Sequence, residues 1–487
     1  MPVNTIHAEY AECLPLWALV RGSIAGEDAI KKAGETYLPR ANGHTSDAYS
    51  RYLARAHYAM FTARAADGLY GQIFSKPPER IGGDALGDLL GNVDKAGSSI
   101  DQFASDLCWD IMQTGWGGIL ADHSPVPQGM SQAEKERAGL SSFLRWYNAE
   151  SVINWRYDSI NDRQELALVV LKEDYADAGK DKFSPALKTR YRVLELIDGT
   201  YTQEVWEKTS NGVSSKDEFQ PVAQFAPLLG GKPLDFIPFF PCPAKSPEKS
   251  MLLPIAYLNI EHYQLTADYV NILHYTGTPT PYVLGSDPPK DKNGSLIPVT
   301  IGGSNFIFIP ATKDISGAVI APSIGFLEPS GAGARQLLES LQAIEKNMEA
   351  LGANIVKEDK KGVETADAAR IHQAGENAVL GSFSLNMSER ITQAVRLAAR
   401  WRGVPAEIAE GFSYSLNMDY EGEMSSADEA ILALRERDSG AMSLWRYLTD
   451  ISGLSEEEAE AEVRRIREED AGRFALPENK EEENYAE

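Results

Sequence analysis

The chain contains very little cysteine. Its 487 residues include three, Cys13, Cys108 and Cys242, far apart and odd in number. This arrangement gives neither a disulfide framework nor the paired spacing of a zinc site. We therefore expect buried free thiols and synthesis in a reducing compartment. The N-terminal segment MPVNTIHAEY also lacks a basic region followed by an apolar one, so we expect no signal peptide.

Long hydrophobic runs are also missing. A transmembrane helix needs about 20 consecutive apolar residues, and the apolar segment FIPFFPCP is short and interrupted by proline. We therefore expect no contact with a membrane. The 43% hydrophobic content and the length favour a folded protein of several domains.

Positive charge is in deficit, with 47 Lys and Arg against 71 Asp and Glu, a formal net charge of −24. That sign excludes a protein that grips DNA or anionic lipid over its whole surface. It suits a protein that must stay soluble, or one along which a polyanion must slide without adhering.

Catalytic and ligand-binding motifs are absent from the sequence. The seven histidines form no i, i+4 pair and no H-E-x-x-H motif, and none of the glycine-containing turns is a phosphate-binding loop. The acidic run SEEEAEAE is typical of a solvated helix face, and His262 of a structural histidine. We expect the protein not to be an enzyme and to have no catalytic residue, metal site or cofactor.

One stretch keeps an enzymatic alternative open. Asp122, His123 and Ser124 are consecutive in LADHSP. A catalytic triad needs these side chains to converge, whereas adjacent residues of a strand point to opposite faces. The other interpretation is a strand that runs into a turn before Pro125.

The hydrophobic pattern predicts an α+β fold. Helical spacing covers most of residues 1–75, the segment SKPPERIGG is predicted to be a loop, and Ser99 is a candidate N-cap for the next helix. From about 140 to 250 the short segments rich in Val, Ile, Tyr and Trp predict an antiparallel β region, with a hairpin turn at Asp198 and Gly199.

Two amphipathic helices then flank a β-rich stretch. Apolar stripes predict helices over residues 252–276 and 333–353, and a third over about 365–402, where Gly375 and Gly381 favour a bend. The third helix follows the charged segment VKEDKKG. Further helices are predicted near the C-terminus, one with a capping box at residues 455–458.

This ordered series resembles the portal proteins of tailed double-stranded DNA phages, in particular a subgroup long catalogued as a domain of unknown function. The stretches that carry the resemblance are YLARAHYAMFTARAADGLYGQIFSKPP, QTGWGGILAD, YNAESVINWR, LPIAYLNIEHYQLTADYVNILHYTGTPTPYVLG, LGANIV and GVETADAARIHQAGENAVLGSFS. Together they span most of the chain in order, although each is weak by itself.

The resemblance implies a portal fold assembled as a ring, with named parts. Residues 1–251 would be an N-terminal wing of helices and antiparallel sheet, 252–276 and 333–353 the two stem helices, and 277–332 the clip between them. Residues 354–363 would be the tunnel loop, 364–423 the long tunnel helix and a return to the wing, and 424–471 a helical crown. The acidic tail 472–487 is expected to be disordered.

The implied function is a channel at one capsid vertex through which viral DNA is packaged and ejected. The implied partners are other copies in a dodecameric ring, the terminase large subunit, head–tail adaptor and tail proteins, the major capsid protein and scaffold, and the DNA itself. The implied location is the virion, with the host cytoplasm during assembly.

The candidate DNA-channel residues lie in the tunnel loop: Lys357, Glu358, Asp359, Lys360 and Lys361. Repeated around a ring axis, they would form a charged girdle in which the three lysines touch phosphates transiently and without reading sequence. For an ordinary protein the same run would be a solvated connector. A further alternative is another phage connector or structural adaptor, which would not need the β-rich stretch between two helices.

Overall fold

The computed structural model describes residues 2–124, 139–160, 162–177, 186–209, 218–277, 280–297, 299–301, 304–310, 323–327, 331–353, 366–418, 442–450 and 459–466, with a few isolated positions between them. The chain has a mixed α+β fold. It divides into a large unit, Met1–Met418, and a small one, Asp419–Glu487.

The helices of the large unit fall into two groups. The first group precedes the main sheet and comprises α1 (Ala8–Ala25), α2 (Glu27–Ala33), α3 (Ser46–Arg55), α4 (Phe61–Ile73) and α5 (Ile100–Thr114). The second follows it and comprises α6 (Leu253–Thr276), α7 (Ala332–Ala353), α8 (Ala366–Trp401) and α9 (Ala406–Glu410). The small unit contains α10 (Leu444–Asp450), and residues 459–466 are helical.

Most strands form one antiparallel region between the two groups of helices. A five-stranded sheet has the order β4-β5-β6-β7-β8, from β4 (Val152–Ile160), β5 (Arg163–Asp177), β6 (Ala186–Ile197), β7 (Thr200–Thr209) and β8 (Glu218–Phe225). A three-stranded sheet has the order β11-β2-β3, from β2 (Gly117–His123), β3 (Ser142–Asn148) and β11 (Phe239–Cys242). The short hairpin β9 (Leu228–Leu229) and β10 (Lys232–Pro233) lies between them in the chain.

A separate group of strands lies between α6 and α7 in the chain. Its three-stranded sheet, which we call the interhelix sheet, has the order β15-β12-β16, from β12 (Thr280–Leu284), β15 (Ile307–Ile309) and β16 (Ser323–Leu327). The pair β13 (Thr300–Ile301) and β14 (Ser304–Asn305) accompanies it.

Local sequence signals placed several boundaries correctly. The Ser99 side chain accepts a hydrogen bond from the backbone N–H of Gln102, as an N-cap does. Asp198 and Gly199 both have positive φ, 51° and 74°, and join β6 to β7 in the two-residue turn that suits the right-handed twist of paired strands.

The prediction of a loop over SKPPERIGG was wrong in part. Residues Glu79–Ile81 form β1, which pairs antiparallel with β17 (Ser413–Ser415). This strand has three exposed residues and no alternation of its own. Its partner lies more than 330 positions further along the chain, so no local pattern marks it.

The long helix α8 lies where the apolar stripe predicted it. α8 is continuous through Gly375 and Gly381, so neither glycine ends the helix. Beyond about Leu380 it enters the core: Met387, Ile391 and Val395 are at most 1% exposed. The predicted tunnel loop, the capping box at 455–458 and the tail 472–487 lie outside the described residues.

Candidate functional site

The helix α6 is held against the N-terminal helices by a fully buried asparagine. The Asn259 Oδ1 atom accepts hydrogen bonds from the backbone N–H of Thr62 (3.1 Å), from its hydroxyl (3.0 Å) and from the Tyr58 hydroxyl (2.8 Å). Its amide donates to the carbonyl oxygen of Ala59 (2.7 Å). One side chain thus satisfies the backbone where α4 begins and fixes α6 upon it.

Further polar contacts continue along the same side of α6. The Tyr52 hydroxyl on α3 donates to Asp268 Oδ1 at 2.6 Å, and Arg55 Nη1 donates to Asn271 Oδ1 at 3.2 Å. Near them Tyr263 and Ala267 are buried among apolar residues of the N-terminal helices. α6 is therefore held against the N-terminal helices over most of its length.

The helix α7 packs along α6 through one apolar face. Leu341, Ile344 and Met348 are buried, at spacings of three and four. Between the helices, His262 Nε2 lies 3.1 Å from Glu345 Oε1, and the edge of the buried imidazole meets the Phe61 ring of α4. The expectation that His262 is structural agrees with these contacts.

The interhelix sheet carries exposed apolar side chains on both faces. The register places Ile307 and Ile309 of β15 on one face, and Ile324 and Phe326 of β16 on the other. Their exposed fractions are 46%, 44%, 74% and 58%. Soluble sheets seldom leave such residues in water on two sides, so this surface has the composition of an interface.

The edges of the five-stranded sheet are different. Its edge strand β8 contains Pro221, which has no N–H to donate, beside an irregularity in the register with β7. The opposite edge, β4, is interrupted by two register shifts near Asn154 and Arg156. Such features discourage pairing with another chain. The edge strand β16, SIGFL, has no proline and no charge.

The buried part of α8 is bonded to the three-stranded sheet and to the segment that follows the helix. Ser142 of β3 donates a hydrogen bond to the carbonyl oxygen of Ala398 at 2.6 Å, and the backbone N–H of Leu416 donates to the Ser388 hydroxyl at 3.0 Å. The Arg396 guanidinium donates to the carbonyl oxygen of Phe412 at 2.8 Å. These bonds hold the C-terminal half of α8 rigidly.

A buried ion network joins the two large sheets. Glu173 of β5 is 4% exposed and accepts hydrogen bonds from Arg190 and Arg192 of β6, at 2.7 and 2.8 Å, and from Tyr147 of β3 at 2.5 Å. Arg145 Nη1 lies 3.2 Å from the same carboxylate. Burial alone would raise the pKa of Glu173, but the hydrogen bond and charge of Arg192 outweigh it and lower the pKa to about 2.

A second charged cluster fixes α1 against α5. Arg21 donates to Asp110 at 2.8 Å and to Glu150 at 2.5 Å. Burial dominates at Asp110 and raises its pKa to about 6 in spite of the guanidinium. Its second oxygen, Oδ2, is buried without a hydrogen-bond partner, which agrees with a costly ionised form.

The three consecutive residues considered as a catalytic candidate do not form a relay. The Asp122 carboxylate accepts from the backbone N–H of His123 and lies 3.4 Å from Arg192. The His123 Nδ1 atom lies 2.7 Å from the carbonyl oxygen of Ser124, and the Ser124 hydroxyl receives a hydrogen bond from Lys95 at 2.6 Å. Each side chain therefore contacts a different group.

The site residues predicted from the sequence differ from the residues whose contacts the structure describes. The candidate DNA-channel residues Lys357, Glu358, Asp359, Lys360 and Lys361 lie outside the described residues, so their role stays a prediction. Asn259 and Glu173 were not singled out, because their partners are distant in the chain. Within the described ranges, no helix is both long and apolar enough to cross a membrane, and no group of three His, Cys, Asp or Glu side chains is placed to hold a metal.

Comparison with known proteins gives one family match. The model of a family described as "Domain of unknown function (DUF4055)" matches residues 251–402, from the start of α6 to the end of α8. No curated protein matches. Among solved structures, a chain of the "Neck of native GTA particle computed with C12 symmetry" aligns over 87% of this chain and 98% of that chain, with 11% identity and a TM-score of 0.35. A likeness of that degree does not establish a shared fold.

Proposed function

We propose that the chain is a structural subunit of the neck of a tailed-phage particle, and specifically of its portal. In this proposal copies of the chain close into a ring, dodecameric in the virion, at one capsid vertex. Double-stranded DNA passes through the ring during packaging and ejection. The subunit guides the DNA and performs no chemistry on it.

The observation that carries the proposal is the interhelix sheet at the end of two packed helices. Its apolar side chains Ile324 and Phe326 are 74% and 58% exposed, and its edge strand lacks the proline and register shifts seen in the larger sheet. A surface of this kind is stable when other copies or partners cover it and keep it out of water. The resemblance assigns this stretch to the clip.

The fixed helices suit such a role. α6 is bonded to the N-terminal helices through Asn259 and Asp268, and α7 is packed on α6. Forces on the clip during packaging would pass along this pair into the wing. In the proposal the terminase motor docks on the clip first, and head–tail adaptor proteins replace it afterwards.

The charge of the chain fits a conduit for DNA. Each copy carries a formal net charge of −24, so a ring concentrates negative charge around its axis. Acidic walls repel phosphates, and the few lysines of the tunnel loop would limit contact to brief, sequence-independent encounters. Tight binding would obstruct transport.

Electron microscopy of negatively stained protein, together with mass measurement in solution, tests the proposal. A ring with a central hole is expected. A compact monomer or dimer at every concentration and salt condition would contradict it.

The alternative of a head–tail connector or adaptor also predicts a ring, so a second measurement separates the two. Purified rings are mixed with the terminase large subunit and, separately, with the head-completion proteins of the same particle. A portal binds both at the clip, and substitutions in the interhelix sheet weaken both. Binding of the head-completion proteins alone would favour the adaptor.

A further inference from the structure

A cavity of about 410 Å³ lies between the C-terminal end of α5 and the part of α8 that approaches the core. Its wall is largely apolar and contains three of the ten methionines of the chain, Met112, Met251 and Met387. Methionine side chains adapt to the shape of an apolar partner. A cavity of roughly 150 Å³ already holds a benzene molecule, so this one has room for a large aliphatic side chain.

The floor of the cavity is rigid. Gly115 ends α5 with φ +68°, and a Cβ atom there would lie 2.3 Å from the carbonyl oxygen of Glu248. The backbone N–H of Glu248 donates to Gly115 at 3.0 Å, and the Ser250 hydroxyl donates to the carbonyl oxygen of Met112 at 2.9 Å. The cavity is therefore preformed and does not depend on a ligand for its shape.

The helix that roofs the cavity also carries exposed apolar side chains. Val379, at the mouth, is 54% exposed, and Leu385 is 50% exposed. At about 100° per residue, Leu385 points about 100° away from the side of α8 that carries Val379, Ser382 and Asn386. Leu385 is not among the residues that line the cavity of its own chain, and its side chain is open to a neighbouring copy.

Charged residues lie beside both the cavity and Leu385. The rim of the cavity carries Lys249 and Glu248, and Arg390 lies near enough to lower the pKa of Cys242 in the cavity wall, although burial dominates and raises it. The exposed residue Glu389 lies one helical turn beyond Leu385, on the same face. The cavity side thus has an excess of positive charge, and the Leu385 side carries a negative one.

We propose that Leu385 of one copy of this chain enters the cavity of the next copy, with Glu389 beside Lys249. An apolar projection beside an apolar cavity lets each copy give a side chain to one neighbour and receive one from the other, as a heterologous contact requires. The contact closes a ring without needing any other protein. The inference rests on the proposed function, since it names the subunit contact of that ring.

Assembly of charge-swapped variants tests the contact. We expect Leu385→Asp and Glu389→Lys each to raise the protein concentration needed for assembly by about tenfold or more. The double variant Glu389→Lys/Lys249→Glu should recover most of the loss, because the pair is restored with reversed signs. Leu187→Asp, which places the same charge at a 76% exposed leucine of β6, serves as the matched control and should assemble normally.

Cross-linking locates the contact directly. In a Cys13→Ser/Cys242→Ala background, one batch carries Leu385→Cys and another Lys249→Cys, and a short bismaleimide is added to the mixed assembly. Cross-linked pairs are expected in the mixture above the level in either batch alone.

The outcomes separate this inference from the proposed function. If Leu385→Asp forms rings as readily as the unchanged protein, and no cross-link appears in the mixture, the inferred contact is wrong. The proposed ring then still stands. Failure of the unchanged protein to form rings under any condition overturns both.

Discussion

Asn259 and Thr62 are joined by two hydrogen bonds to one oxygen atom: Asn259 Oδ1 accepts from both the backbone N–H and the hydroxyl of Thr62, at 3.1 and 3.0 Å. Asn259 is fully buried, so water cannot replace either bond. The contact therefore fixes where α6 starts relative to α4.

Substitution of Asn259 by Leu should destabilise the subunit by about 2–4 kcal/mol, because it leaves the backbone N–H and the hydroxyl of Thr62 without their acceptor in the core. Denaturant unfolding measures the loss. Asn347→Leu on the exposed face of α7 is the matched control and should change stability by less than about 0.5 kcal/mol. Equal effects of the two substitutions would contradict the assigned role.

Local chemistry made part of this fold predictable. Apolar stripes with helical spacing placed the helices Leu253–Thr276, Ala332–Ala353 and Ala366–Trp401 within a residue or two, and Asp198-Gly199 placed a hairpin. In each case the information lies within a few turns or residues of the element itself.

Other features depend on contacts between distant positions and were not predictable. β1 exists because Glu79 pairs with Ser415, and the charge of Glu173 is tolerated because Tyr147 and Arg192 reach it from two other strands. The sequence shows these residues singly and gives no sign of their pairing. The interhelix sheet was expected as a β-rich stretch, but its two exposed apolar faces follow only from the strand register.

The raised pKa of Asp110 predicts a pH-dependent stability. Its carboxyl has a folded-state pKa of about 6, above the value of about 3.9 for an unfolded chain. The protonated form is therefore favoured by folding, and this contribution is present below pH 4 and lost as the pH rises through 6. The difference between the two pKa values, which already includes the effect of Arg21, corresponds to a loss of about 3 kcal/mol.

The substitution Asp110→Asn should remove most of this dependence, because the amide oxygen can still accept from Arg21 without carrying charge. Thermal melting between pH 4.5 and 8 measures it, and the gain from Asp110→Asn should be greatest at the alkaline end. Asp106→Asn, an exposed aspartate of the same helix, is the control. A parallel pH profile for all three proteins would contradict the prediction.

The substitution Glu173→Gln should lower the stability of the protein at neutral pH, whereas Asp110→Asn should raise it. Glu173→Gln removes the nearer of the two carboxylates beside Arg192, which is 10% exposed, and leaves only Asp122 at 3.4 Å. Complete loss of the partner of a buried charge costs about 3–5 kcal/mol, so the remaining carboxylate should keep the loss below that range. Because the pKa of Glu173 is lowered to about 2, its contribution is present above the unfolded pKa of about 4.3 and lost as the pH falls toward 2. Denaturant unfolding at pH 7 and pH 3 measures both effects, with Asp174→Asn on the same strand as the control.

The lysines of the predicted tunnel loop should matter for DNA and not for assembly. We expect Lys357→Ala, Lys360→Ala and Lys361→Ala together to leave ring formation unchanged and to alter the amount of DNA packaged or retained, because the loop would contact only the phosphate backbone. Packaged DNA per particle and ring mass are measured side by side. Glu358→Ala/Asp359→Ala, in the same segment, gives a control with the charge changed in the opposite direction. Loss of rings in the lysine variant would show that the loop is a subunit contact.

The interhelix sheet should behave as an interface and the five-stranded sheet should not. Phe326→Asp places a charge on a side chain that is 58% exposed in the single subunit, so the subunit should keep its stability. If other chains cover that face, assembly must either bury the new charge or leave the neighbouring chain unbound. The ring population should therefore fall by at least about tenfold. Val222→Asp, on the proline-containing edge strand β8, is the matched control at 50% exposure and should assemble as before. Mass measurement across a concentration series compares the two variants. A normal ring population for Phe326→Asp would mean that this face of the sheet stays in water after assembly. Its apolar surface would then serve a partner that binds later.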